Sequence, residues 1–443
     1  MAGNVLIDIF RIKDLRSRIV FTLTMLVIFR FGATLPMPGI NVNALKLYYV
    51  TQESTGGLIS LTDYLDFFAG GAFKNASIML LGIMPYISMS IIMQLLLLVF
   101  PSLKKLSEEE GGRKKIHRYT RYGTVVVCLI QTFTAALSIA NGIPNALTLS
   151  KMVYIPLAML TATTGTLFLM WMGEQISQRG VGNGISLIIY AGIVARLPDA
   201  LWSLLKRIQT RDLNPVFVLV VFLMFVVVIA LVVLEQQGQR KIAVHYAKRV
   251  VGRKMYGGGP NTFIPFKINP SGVIPVIFAN SVLGFPLQMA GSLGIQFKWL
   301  SDFAYWFRPS GVPYMIVSTL LIIFFAYFYT QVSLNPVEIS RQIRENGGSI
   351  PGIRSEKMEE YFTKVLNRII LPGSLFLAAI AVIPTVIQTT FNFPSDLAYL
   401  MGGTSLLIMV GVNLDTMSQI EGHLKMHHHE GLVKRGKIRS RNL

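Results

Sequence analysis

The sequence predicts an all-α polytopic membrane protein, and three observations carry that prediction. Of the 443 residues 52% are hydrophobic and 14% charged, with the charges gathered between apolar runs, whereas a soluble domain needs polar surface on every side. About ten runs are long enough to cross a bilayer as helices. Finally, the stretch TDYLDFFAGGAFKNASIMLLGIMPYISMSIIMQ at 62–94 holds a short amphipathic piece, a Gly70-Gly71 break, the cation Lys74 and a charge-free run that continues to Leu103. A half-length segment feeding a full-length one is an interrupted membrane helix. Irregular backbone at membrane depth is tolerated where it is buried in protein or lines an aqueous cavity, so the break marks a pore or binding site.

In chain order, the expected spans are 18–35, 77–100, 122–140, 153–172, 185–203, 216–234, 273–290, 312–329, 370–390 and 397–414. Before the first, Leu6, Ile9, Phe10 and Lys13 suggest an amphipathic helix along the inner surface. Arg11, Lys13, Arg16 and Arg18 precede an apolar stretch that carries Arg30 and ends in Pro36-Met37-Pro38 without a small-residue cleavage site. This span reads as a retained anchor. A polar external loop follows at 41–60, and the connection KKLSEEEGGRKKIHRYTRY reads as a solvated turn at the head groups. Most of the 41 Lys and Arg fall on alternate connections, which puts both termini and the long basic loops inside. The exception is 196–211, with Arg196, Lys206, Arg207 and Arg211 outside.

Candidate chemistry is sparse. The single cysteine, Cys128, lies within the third span as a small apolar filler, so there is no disulfide framework or CxxC site. GEQISQRGVGNGIS at 173–186 lacks the GxGxxG spacing and reads as a tight inner turn. GLVKRGK at 431–437 is followed by Ile438 where a phosphate loop needs Ser or Thr. His427 to His429 read as a solvated tail, because three consecutive side chains on a helix point in different directions; a metal cluster or a tag fragment are the alternatives. No cofactor is expected. Two loops exceed what a connection needs. In 235–271, alternating Ile242, Val244 and Tyr246 suggest a protruding hairpin bearing Arg240, Lys241, Lys248, Arg249, Arg253 and Lys254. In 330–368 the sequence suggests a short helix, a Gly347-Gly348 turn and an exposed strand, Ile-Pro-Gly-Ile-Arg, ending at Arg354. Such basic loops suit a ribosome's RNA, an acidic protein face or lipid head groups.

The runs GGAFKNASIMLLGIMPYISMSIIMQLL, GVGNGISLIIYAGIVARLP, GQRKIAVHYAKR, INPSGVIPVIFANS, NPVEISRQIR, IPGIR and GGTSLLIMVGVNLDT resemble the SecY family, the channel subunits of the bacterial protein translocon, in the same order over nearly the whole chain. The resemblance implies two pseudo-symmetric five-helix halves forming an inverted repeat around a central pore: 1–203, containing the plug half-helix 62–76, and 204–417, containing the two long loops, with a basic tail at 418–443. It implies a plug carrying Phe67, Phe68, Gly70, Gly71 and Phe73, with a hinge at Lys74-Asn75. Taken alone, the two glycines could equally be a packing notch. Apolar pairs at i and i+4, such as Ile83 with Ile87, are ordinary helix surface by themselves. Matched to the family, Ile83, Ile87, Ile185, Ile189, Ile277 and Ile408 fall where its pore ring lies, and branched apolar side chains around an extended chain make a gasket with no partner for a hydrated ion. Ser88, Gln94, Gln131, Asn280 and Ser281 would line the lateral gate, each worth about 0.6 to 2 kcal/mol across a closed seam, and Pro275 and Pro286 would bend its moving wall. Arg253, Lys254 and Arg354 would meet the motor ATPase SecA and the ribosome; Ser355-Glu356 stands where the family usually has Pro-Gly. The further partners implied are SecE and SecG, signal-peptide-bearing substrate proteins and membrane lipids, in the cell's inner (cytoplasmic) membrane. A secondary transporter would show ionisable residues at mid-membrane, where this chain has little besides Arg30. An intramembrane enzyme would need a nucleophile or metal motif, and neither HExxH nor GxSxG is present.

Overall fold

A computed structural model describes residues 12–53, 66, 69–210, 215–246, 249–251, 254–256, 262–293, 297–308, 311–391 and 402–435. Helices dominate, and one overlaps each of the ten expected spans. In chain order they are α1 Lys13–Thr34, α2 Val42–Glu53, α3 Met84–Val99, α4 Pro101–Glu108, α5 Gly112–Gly142, α6 Lys151–Arg179, α7 Gly184–Val194, α8 Leu197–Gln209, α9 Pro215–Gln237, α10 Ile274–Leu293, α11 Lys298–Trp306, α12 Val312–Ser333, α13 Pro336–Glu345, α14 Met358–Phe391 and α15 Gly403–Arg435. The strands are β1 Gln239–Tyr246, β2 Arg249–Val251, β3 Lys254–Tyr256, β4 Thr262–Lys267 and β5 Gly348–Ser349.

Where these helices depart from the expected spans, the cause is local. The second span begins as a helix at Met84 and not at 77: Gly82 stands at φ +57°, and Pro85 opens the first turn, where its missing N–H costs nothing. At its other end Phe100 and Pro101 bend the chain by 103° into α4. The fifth span is broken at Ala195 and Arg196, with Pro198 in the first turn of α8. The polar loop after the first span contains α2, capped by the Asn41 carboxamide oxygen, which accepts from the Asn43 and Ala44 N–H groups. Pro275 is the second residue of α10 and starts that helix without bending it, whereas Pro286 lies inside. The amphipathic start at Leu6 to Phe10 lies outside the described residues. The tail continues as helix to Arg435.

Two compact units result, one of Met1–Leu201, Gln288–Asp302 and Ile408–Leu443, the other of Trp202–Leu287 and Phe303–Leu407. In the first, α5 and α6 pack as a long antiparallel pair, joined by α1, α3 and α7. Small residues let these helices approach backbone to backbone, as membrane interfaces require. A Cβ added at Gly165 of α6 would sit 2.1 Å from the Ile78 carbonyl oxygen, and one at Gly184 of α7 2.0 Å from that of Gly173. One core cluster gathers Met37, Leu45, Leu80, Ile139, Tyr154 and Ala158. The expected tight turn at 180–183 is present, and three side chains hold it: Thr22 Oγ1 accepts from the Val181 N–H, Gln419 Oε1 from Gly182 and Ser177 Oγ from Gly184.

In the second unit β1 pairs antiparallel with β4, Ile242 opposite Ile264, and β5 adds on at the far end of β1. Ile242 and Val244 point inward, as alternation predicts, onto a core that includes Phe266, Ile343, Ile350, Met358, Phe362 and Ile369. This sheet explains why α14 begins twelve residues before the expected span, since Met358, Phe362, Val365 and Ile369 form an apolar stripe that packs against it. Lys241 lies 4.9 Å over the Phe263 ring.

Gly165→Ala should destabilise the first unit by about 1 to 3 kcal/mol, because no side chain can move aside for a backbone carbonyl. Thermal unfolding of the detergent-solubilised protein is the measurement, and an unchanged midpoint counts against this packing.

Candidate functional site

The break that organises the sequence is built from the segment that ends at Met84. Asp66 and Ala69 are helical, and Phe67 and Phe68 lie outside the described residues. The half-helix expected to reach Ala76 stops at Gly70: residues 70–75 run in turns because Gly70 and Gly71 adopt φ +66° and +90°, a left-handed backbone that ends a right-handed helix. The two glycines do different work. A Cβ at Gly70 would stand 2.7 Å from Gly192 Cα on α7, so Gly70 is a packing notch as well as a break, whereas Gly71 meets nothing. Phe73 packs partly buried against the first unit's core, and Ala69, Ala72 and Ala76 are buried.

Polar contacts fix this segment. Asp66, fully buried, accepts the Lys74 N–H at 2.8 Å through Oδ1, and its carbonyl accepts from Gly71. Its Oδ2 lies 2.9 Å from an Arg196 guanidinium nitrogen, at ion-pair distance without hydrogen-bond alignment. Arg30 donates to the Gly70 carbonyl at 2.8 Å. Arg30 was conspicuous in the sequence as a charge within a span. Asp66 lies within the 62–76 segment but carries no local signal of its own, and Arg196 shows itself in the sequence as a break in the inside–outside charge pattern.

The isoleucines are placed as follows. Ile83, 1% exposed, is the last residue before α3, and Ile87 follows one turn on. Ile185 and Ile189 lie one turn apart on α7, with Ile189 buried and Ile185 half-buried against Gly173 of α6. Ile408, buried on α15, belongs to the same unit; Ile277, buried on α10, belongs to the other.

Of the candidate gate residues, Gln131, Asn280 and Ser281 are buried and Ser88 and Gln94 half-buried. Ser281 spends its hydroxyl on the Ile277 carbonyl one turn back in its own helix at 2.8 Å, the usual alternative for a serine in a span, and is not a seam bond. Gln94 Oε1 and Asn280 Nδ2 have no hydrogen-bond partner among the described residues.

On the long loops, Arg253 lies outside the described residues, and Lys254 opens β3, paired with Val251. The exposed strand expected at Ile-Pro-Gly-Ile-Arg is instead a turn. The strand, β5, precedes it; Ile350 is buried in the sheet core; and Gly352 at φ +78° turns the chain. Arg354 is exposed immediately after this anchored turn. A cleft of about 440 Å³ opens beside β4 and α13, lined by Tyr246, Phe266, Lys267, Ile339 and Ile343 among others.

The chain is a multi-span helical protein with a broken segment seated against α7 and buried isoleucines at 83, 87 and 189 on the elements that follow and flank the break. Solved structures share its fold. A structure described as a protein-conducting channel covers 91% of both chains at TM-score 0.62 and 17% identity, and Sec61 in a canine ribosome–channel complex matches at TM-score 0.58 with 17% identity over 91% of both chains. A SecY family model matches residues 77–417. The chain is 46% identical to the protein translocase subunit SecY of Borreliella burgdorferi over 421 residues, 95% of each chain, and 38% identical to that of Escherichia coli K12 over 436 residues, 96% of this chain and 95% of the other. The chain belongs to the SecY family. It is the channel subunit of a protein translocase and not an enzyme.

Gly70→Ala should lift the 69–76 segment from α7, since Ala pays both for the left-handed backbone and for the clash with Gly192. With Cys128 replaced by Ala, a cysteine at Ala72 should then react with a water-soluble maleimide about tenfold faster than in the Gly70 background. Equal rates would show that the notch is not needed.

Proposed function

We propose that the chain is a multi-pass protein of the cytoplasmic membrane with both termini in the cytoplasm, and that residues 1–203 and 204–417 are the two five-helix halves of its pore. Unfolded preproteins cross between them, and transmembrane segments leave sideways into lipid. In this reading Ile83, Ile87, Ile185, Ile189, Ile277 and Ile408 form the apolar gasket, which fits any extended chain because it makes no specific hydrogen bonds and which resists ions because a narrow apolar constriction dewets. The segment 62–76, with Phe67, Phe68, Gly70, Gly71 and Phe73, is the resting plug, and Lys74-Asn75 its hinge. The observation that carries the reading is the seat of that segment. It contacts α7, which bears Ile185 and Ile189, and it runs directly into Ile83 and Ile87.

Ser88, Gln94, Gln131, Asn280 and Ser281 belong to the lateral gate. The unpartnered Gln94 Oε1 and Asn280 Nδ2 support this, because such atoms near a moving seam leave a weak closure that a signal helix can part. SecE clamps the two halves, SecG lies at the side, and SecA or a translating ribosome supplies the work at Arg253, Lys254 and Arg354. The sharing of a fold with a ribosome-bound channel supports the ribosome as one of these partners.

Single cysteines at Ile83 and Ile277, with Cys128 replaced, should both crosslink to the same segment of a stalled preprotein. Labelling by lipid probes in place of the preprotein would sink the pore assignment. Arg354→Glu should slow SecA-driven import of a preprotein into inverted vesicles by about tenfold, because reversing an exposed docking charge acts on association. Unchanged import would remove Arg354 from the contact.

A further inference from the structure

The plug's seat contains a charge pair that neither the gasket nor the hinge requires. Asp66 is the sole fully buried carboxylate among the described residues, and Arg196, whose side chain is 22% exposed, is the cation at ion-pair distance from it. Its other oxygen closes the turn on the Lys74 N–H, so the carboxylate both shapes the segment and ties it to the break between α7 and α8. A second guanidinium, that of Arg30 on α1, holds the Gly70 carbonyl. A buried carboxylate persists only when a cation compensates it, and removing one partner of such a pair is far more damaging than removing both.

We infer that the Asp66–Arg196 ion pair is the lock that holds the plug segment in its resting seat, with Arg30 as a clasp on the Gly70 carbonyl. The lock rests on the plug reading above. It makes Arg196 and Arg30 positioning residues for closure. The pair is asymmetric. Without Arg196 the Asp66 charge is stranded in a dry site and drives the segment toward water, whereas without the Asp66 charge the partly exposed Arg196 can reach solvent. Asn at 66 keeps the oxygen that accepts the Lys74 N–H.

The test is halide leak through the complete translocase complex reconstituted in vesicles, per complex incorporated and without substrate. Arg196→Met should raise the leak about tenfold and Asp66→Asn much less. The double variant Asp66→Asn/Arg196→Met should fall back to the Asp66→Asn level, and Arg196→Lys should stay close to wild type. Rescue of one loss by a second loss is not what a merely structural role would give. A double variant at least as leaky as Arg196→Met, or an Arg196→Met complex as tight as wild type, would overturn the lock. Deletion of residues 62–76 separates the two ideas. If the deletion leaks while Arg196→Met does not, the lock alone is wrong; if the deletion is tight, the plug reading falls and the lock with it.

Discussion

A peptide group inside hydrocarbon has no water to bond, and leaving it unpaired costs several kcal/mol. That constraint governs the part of this protein that is not helix. Between Ala69 and Ile83 the chain abandons the regular ladder, yet most of its donors find an acceptor nearby. Ala72 donates to Ala69, Lys74 to the Asp66 carboxylate, Asn75 to Gly71, Ser77 to Ala72 and Ile78 across to Leu35. The turn before α7 meets the same demand with Thr22, Gln419 and Ser177. Irregular backbone survives here because the segment bonds to itself and to Leu35, and the turn before α7 to three side chains of neighbouring helices, while Gly70, Gly165 and Gly184 allow the close backbone approach.

Electrostatics follows the same geography. Pairs such as Lys364–Glu360 are exposed on both sides, where water and salt screen them. Asp66 with Arg196 is different in kind, since water cannot replace the partner of a fully buried carboxylate. Charges are rare in the spans, so one that is kept there must have a counterpart, and the counterpart sits on the stretch of chain that interrupts the second span.

How much of this was legible depended on whether the signal was local. Spans could be read from runs of apolar residues, because bilayer thickness fixes their length. Helix α14 was truncated in that reading, since its first three turns bury Met358, Phe362 and Val365 against a sheet that only the folded chain brings near. Ile-Pro-Gly-Ile-Arg reads as an exposed strand, but Gly352 turns it and the ladder forms just before it, at Gly348–Ser349. The isoleucine positions came from motif resemblance and not from periodicity, which cannot distinguish a pore-facing stripe from a lipid-facing one. Arg196 looked like an exception to charge topology because its partner lies far back along the chain.

Helix α14 has a mechanical consequence. Its 34 residues run as one helix about 50 Å long, with Pro372 and Pro384 inside it as the places where it can bend. One end is bonded by side-chain packing into the β1–β4 sheet and the other runs on as an apolar span. A load applied to the sheet is therefore not absorbed by a flexible loop. It passes along the helix as far as Pro372, at the head of the apolar part, so whatever grips the sheet acts on the span at that point.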